Sequence, residues 1–175
     1  MKRLTPSEIA DLLQATLASV EAEVGALPET VLVWHPAEGE WCVNEVLGHL
    51  IEAERRGFAG RIRELLDAAD AEPRLETWDQ AAIARARQDC RRPSPEVLRE
   101  FVALRRDSVD LVRQLRPTDL DRAGEHPQVG LLSVEDILQE WVHHDRNHVR
   151  QALANVQAYV WPAMGNAQRF SVPQS

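Results

Sequence analysis

Apolar residues recur along this chain at helical spacing in four long stretches, and nowhere do they alternate convincingly with polar ones. The first stretch places Ile9, Leu12, Leu13, Leu17, Val20 and Val24 on one face. Thr5-Pro6-Ser7-Glu8 precedes it, with Thr5 suited to cap, Pro6 to the first turn and Glu8 to closing a capping box. Gly25 and Pro28 break the pattern. A second helix is predicted from Cys42 to about Ala68, with Val43, Val46, Leu47, Leu50, Phe58, Ile62, Leu65 and Leu66 as its apolar stripe. Cys42 stands at the cap position, where a thiol accepts a hydrogen bond less well than a hydroxyl. Ser94-Pro95-Glu96 opens a third helix, whose core positions are Val97, Leu98, Phe101, Leu104, Val109, Val112 and Leu115 before Pro117. After a turn-rich segment from Gly124 to Gly130, Ser133 with Asp136 caps the fourth. That helix turns Val134, Ile137, Leu138, Trp141, Val149, Leu153 and Val156 inward until Pro162.

Between the second and third helices, residues 69–94 are rich in Ala, Asp, Arg and Pro and predict a short helix from Trp78 to Gln88 within a long connection. The pattern as a whole predicts an all-α four-helix bundle with that short extra helix. One domain is expected over residues 1–162, with 163–175 as a loose or late-docking tail.

Composition narrows the function. A chain of 175 residues can bury a sizeable core. Its net charge of −8 argues against general binding to nucleic acid or an anionic membrane, since no basic excess exists to displace counterions. The Arg-Arg pairs at 55–56, 91–92 and 105–106 read as solvated helix faces. No apolar run is long enough to span a bilayer, and the basic start lacks the apolar core of a signal peptide. Cys42 and Cys90 alone are no disulfide framework, so a soluble, cytoplasmic protein is expected.

The candidate chemistry lies in the histidines. His144 and His148 are four apart, which on a helix puts two imidazoles on one face a turn apart. That spacing alone is a weak motif. His49 strengthens it, because it lies close to the buried stripe of the second helix, where an unpaired imidazole is costly. A metal shared with the fourth helix would satisfy it, and so would an ordinary core hydrogen bond; the residues leave both open. Three imidazoles from two helices would leave a cation with open positions, as in a catalytic site. His143 points roughly 100° away from His144 and reads as a surface residue or one that supports the ligands from behind. His35 and His126 read as solvent-facing loop residues, although His126 leads into the fourth helix and would be able to overhang the site. Glu45, Glu52 and Arg56 fall beside the stripe of His49, and Glu140 and Gln151 flank the His pair. A carboxylate among them would orient a ligand imidazole or accept a proton from bound water, and Arg56 would hold a substrate carboxylate. The competing reading of each is a salt-bridge partner on a wet face.

Two segments resemble a known family. Trp41-Cys42-Val43-Asn44-Glu45-Val46-Leu47-Gly48-His49-Leu50 is similar to the tryptophan-led start of helix two in the DinB/YfiT superfamily. His144-Asp145-Arg146-Asn147-His148-Val149-Arg150-Gln151 resembles that family's last-helix motif. The resemblance implies an up-down-down-up bundle, a divalent transition metal (zinc, nickel, iron or manganese) held by His49, His144 and His148, and a homodimer. Related proteins include metal-dependent hydrolases and enzymes that use low-molecular-weight thiols. Cys42 departs from the family's usual Ser or Thr.

Two classes of function are therefore expected. In the first, a metal-dependent hydrolase or thiol-dependent S-transferase acts on a small molecule, with Glu45, Glu52 or Glu140 as base and Arg56 or Arg146 holding anionic groups of a thiol cofactor. In the second, the chain is a non-catalytic, metal-binding or oligomeric stress-response scaffold.

Overall fold

The computed structural model describes residues 2–69 and 72–171. Helix α1 (Pro6–Gly25) starts at the box predicted for it: the Thr5 hydroxyl accepts from the Glu8 amide at 3.3 Å, and the Glu8 carboxylate accepts from the Thr5 amide at 2.7 Å. A single turn, α2 (Glu29–Leu32), follows Pro28. The second predicted helix is broken. It comprises α3 (Val43–Glu52), a π-helical segment over Ala53–Gly57 and α4 (Ala59–Asp67), with the Phe58 amide donating to the Ala53 carbonyl five residues back at 2.8 Å. In the connection, α5 (Gln80–Arg87) is capped by Asp79, whose carboxylate accepts from the Ala82 amide at 2.9 Å. Helices α6 (Ser94–Gln114) and α7 (Val134–Val160) complete the bundle.

Helix α1 packs against α6 and α7, and α3 packs against the same two, so α1 and α3 face each other across a four-helix bundle. Apolar side chains fill it from end to end. One cluster groups Ile9, Leu13, Ile62, Leu65, Ile137 and Trp141; the other groups Leu17, Val20, Leu47, Leu50, Val97 and Phe101. Leu153, expected inside, lies at the surface, while Asn155 two residues on is buried and donates to the Trp41 carbonyl at 2.7 Å, so the covered face of this turn passes through Asn155 and not Leu153.

Two further differences bear on the site. The turn-rich segment before α7 folds into a hairpin of β1 (Ala123–His126) and β2 (Gly130–Ser133), strands too short for their alternation to show in sequence. Arg105, expected in solvent, is fully buried. Its guanidinium meets Asp145 of α7 at 2.9 Å and Glu54 of the π segment at 2.6 Å, and it lies over the rings of Phe101 and Trp141. Burial works against its charge, but Asp145 and Glu54 outweigh that and hold the pKa above its ordinary value.

The described part of the expected tail continues from α7 as 3-10 turns over Trp161–Phe170, broken by a kink at Gly165, and residues 172–175 of that tail lie outside the described residues. Among the described residues no helix is long and apolar enough to cross a membrane.

Candidate metal centre

Helix α3 delivers His49 and α7 delivers His144 and His148 to one point between the two apolar clusters. One ring nitrogen from each lies within 4.8 Å of the others. The Nε2 atoms of His49 and His144 are 2.9 Å apart. His148 is oriented through its other nitrogen, since Nδ1 donates to Gln151 Oε1 at 2.9 Å and leaves Nε2 with a lone pair. Burial, with the neighbouring His148 and His144, pushes the pKa of His49 down to about 3. Burial, His148, Arg105 and His143 do the same for His144, also to about 3. His148 is lowered by burial, against the opposing effects of Gln151 and Asp145. Three neutral imidazoles so close together can share at most a few hydrogens, and two facing Nε2 atoms cannot both donate. The arrangement fits a divalent cation that takes nitrogen donors at about 2 Å.

Aromatic rings wall the histidines. Trp41 lies 5.1 Å from His49 between ring centroids, Trp78 stacks on His49 at 6.1 Å, and Phe58 meets His144 edge-on at 5.0 Å. Trp78 arrives from the long connection, which the hairpin pins: the Leu75 amide donates to the Glu125 carbonyl at 3.0 Å. His144 opens into a cavity of ≈ 200 Å³ lined also by Phe58, Arg61, Trp78, His126 and Glu140.

His126 is a correction: the hairpin buries it instead of leaving it in solvent. Arg61 donates to its Nε2 at 3.0 Å, and burial together with the Arg61 charge lowers its pKa. His126 is thus the overhanging residue that its place before α7 allowed. His143 is exposed, as expected, and shares a 3.4 Å contact with Asn147.

The other predicted residues are placed less uniformly. Glu140 faces the cavity. Glu52 is buried, but its carboxylate accepts from Arg56 at 2.7 Å, Arg87 at 2.8 Å and Arg55 at 3.1 Å; although burial alone would raise its pKa, these bonds lower it. Arg56 is correspondingly tied to Glu52, and Arg146 donates to Thr16 on α1 at 3.2 Å. Glu45 caps α3 by accepting from the Cys42 amide at 2.9 Å, and it meets His35 at 3.0 Å. Cys42 and Cys90, read from the sequence as no disulfide framework, are joined by a disulfide. Arg61 and Trp78 were not singled out by sequence, because their place in the site depends on the hairpin and the connection folding over α4.

Comparison with known proteins agrees with this architecture. The family model described as the DinB superfamily matches residues 12–152. A relative in Oceanobacillus iheyensis bearing the name "putative metal-dependent hydrolase" is 27% identical over 111 residues, which is 63% of this chain and 62% of that relative, so the match spans less than two thirds of its length. Among solved structures, YfiT from Bacillus subtilis, described as a probable metal-dependent hydrolase with an unusual four-helix bundle topology, aligns with a TM-score of 0.78 over 89% of this chain and 88% of its own. At 18% identity that likeness is one of fold.

Proposed function

The chain belongs to the DinB superfamily, and from that premise we propose that it is a metal-dependent hydrolase of a small molecule, with His49, His144 and His148 as the metal ligands. The observation that carries the reading is the convergence of three ring nitrogens within 4.8 Å, with one of the three residues, His144, in the wall of a ≈ 200 Å³ cavity. The names of its relatives support the same class. A divalent cation held there supplies Lewis-acid activation of water and of a substrate carbonyl.

The chain's own groups divide the remaining work. Glu140 is the carboxylate that faces the cavity and accepts the proton of the attacking water. Arg61, fixed by its bond to His126, directs positive charge into the same space and holds an anionic or carbonyl group of the substrate. Trp78 and Phe58 exclude water from the side of the histidines. A second reading, thiol conjugation, draws support from an adjoining cleft of ≈ 410 Å³ whose lining includes Arg55, Arg56, Arg61 and Arg74 beside Glu64 and Glu76, a mixed set that suits both the carboxylates and the ammonium group of a low-molecular-weight peptide thiol.

The test is metal content by elemental mass spectrometry on the oxidised protein, followed by ester, amide and thiol-conjugation substrates with and without metal. About one transition metal per chain is expected, lost in His49→Ala and His148→Ala. Hydrolysis that needs the metal and collapses in Glu140→Gln fits the first reading; turnover only with added thiol replaces it by the second. Wild type that retains no zinc, nickel, iron or manganese after reconstitution overturns both.

A further inference from the structure

A second cluster of metal-type donors lies outside this site, about two turns back along α3. His35, Cys42, Glu45 and Cys90 each bring one ligand atom within 4.8 Å of the other three. The single atom His35 Nε2 meets both Glu45 Oε2 at 3.0 Å and Cys90 Sγ at 3.6 Å. These residues come from three separate segments: the loop after α2, the start of α3, and the 3-10 turn Asp89–Arg91 that ends the crossover. Gly48 permits their meeting. A Cβ at that position would lie 1.9 Å from Asp89 Oδ2, so glycine leaves the space in which the Asp89 side chain of the turn carrying Cys90 rests on α3. Asp89 is then locked there by Arg87 at 2.7 Å and Arg92 at 2.9 Å.

We propose that His35, Cys42, Glu45 and Cys90 form a second, zinc-type metal site that becomes competent when the Cys42–Cys90 disulfide is reduced. Two thiolates, an imidazole and a carboxylate are the donor set that a four-coordinate zinc site takes, and the thiolates disfavour magnesium or calcium. Disulfide and metal site are mutually exclusive, because a sulfur in the disulfide has no thiolate charge to give. Interconversion balances with a small-molecule dithiol as reductant. One of its thiolates attacks Cys90 Sγ, the more accessible sulfur, and the S–S bond breaks to release Cys42 as a thiolate. The second thiol of the reductant then displaces Cys90, leaving the reductant as its own disulfide and the protein with two thiols. Binding the cation replaces their two protons. The Cys42 thiolate so formed sits at the N-terminus of α3, where the helix favours negative charge. The site would pin the crossover to α3 in reducing surroundings as the disulfide pins it in oxidising ones.

The experiment uses the full chain carrying His49→Ala and His148→Ala, so that the three-histidine cluster makes no contribution. The protein is reduced with a phosphine, stripped with chelator, loaded with zinc without oxygen, desalted and analysed for zinc per chain. A parallel sample takes cobalt(II) and is read for a thiolate-to-cobalt charge-transfer band. About one zinc per chain and the band are expected in the reduced protein, and less than about a tenth of that zinc in the oxidised protein and in Cys90→Ser. No retained zinc in the reduced protein, zinc without a thiolate band for cobalt, or equal retention by Cys90→Ser each overturns the proposal. Should the double variant not fold, the same measurement on wild type reads a rise from about one zinc to about two on reduction, and no rise overturns it.

Discussion

His148 takes its orientation from a single bond, the one its Nδ1 donates to Gln151 Oε1 at 2.9 Å. That bond fixes the tautomer and leaves Nε2 as the nitrogen that faces His49 and His144. Gln151→Ala removes the acceptor without touching the cluster. It is expected to weaken zinc affinity by about 10–100-fold with an unchanged far-ultraviolet spectrum, measured by competition with a chromogenic chelator. Affinity equal to wild type would mean that packing, not Gln151, orients the ring. At this scale much was legible in the sequence: the i,i+4 pair and the place of His49 beside an apolar stripe are local features, and the fold brings these three together. Arg105 was misread because arginines are usually exposed, yet a local signal existed. It follows Phe101 by four residues and precedes Val109 by four, so it falls on the apolar face of α6. Arg61 and His126 had no such signal, since their partnership spans 65 residues of chain and depends on the hairpin.

The π-helical break in the second helix belongs to the scale of elements. An inserted residue rotates everything after it by roughly 100° relative to a continuous helix, so α3 and α4 present faces that a single α-helix would not align. Gly60 accommodates the altered backbone: a Cβ there would lie 1.9 Å from the Arg55 carbonyl oxygen. Sequence periodicity missed the break because its support is tertiary. Glu54, within the π segment, is fully engaged by Arg105 and by the Ser108 hydroxyl of α6, with burial raising its pKa against the influence of Arg105. Arg105 in turn holds Asp145, the neighbour of His144 on α7. One guanidinium therefore joins the π segment, α6 and α7 just beneath the histidines. Arg105→Met leaves two buried carboxyl groups without their cation and is expected to cost about 3–5 kcal/mol in urea unfolding. A loss below about 1 kcal/mol would show that water reaches Glu54 and Asp145 and that the network is not a structural tie.

For the molecule as a whole, the three-histidine cluster joins α3 to α7 across the seam between the two apolar clusters. The helical content and the bundle were legible because four apolar stripes of ample length need only short-range periodicity to be seen. The disulfide and the hairpin were not, because they tie segments whose proximity exists only after the bundle forms, as with Cys42 and Cys90 at a separation of 48 residues. A cation gripped from two helices has a consequence that concerns the entire fold. The unfolded chain has no preformed site, so binding free energy adds to folding free energy. At a free metal concentration a hundred times the dissociation constant, the gain is about 2.7 kcal/mol. For a chain of this size that corresponds to a rise in Tm of roughly 5–10 °C. The measurement is thermal unfolding of chelator-treated, oxidised protein with zinc, nickel or manganese added back, magnesium serving as a hard-cation control. Keeping the disulfide intact silences the thiol-containing cluster, so a shift seen in wild type and absent in His148→Ala belongs to the three histidines. An equal shift in His148→Ala would place the stabilising cation elsewhere on the protein, and no shift with any transition metal would remove the thermodynamic basis for a metal-dependent reaction at the three histidines.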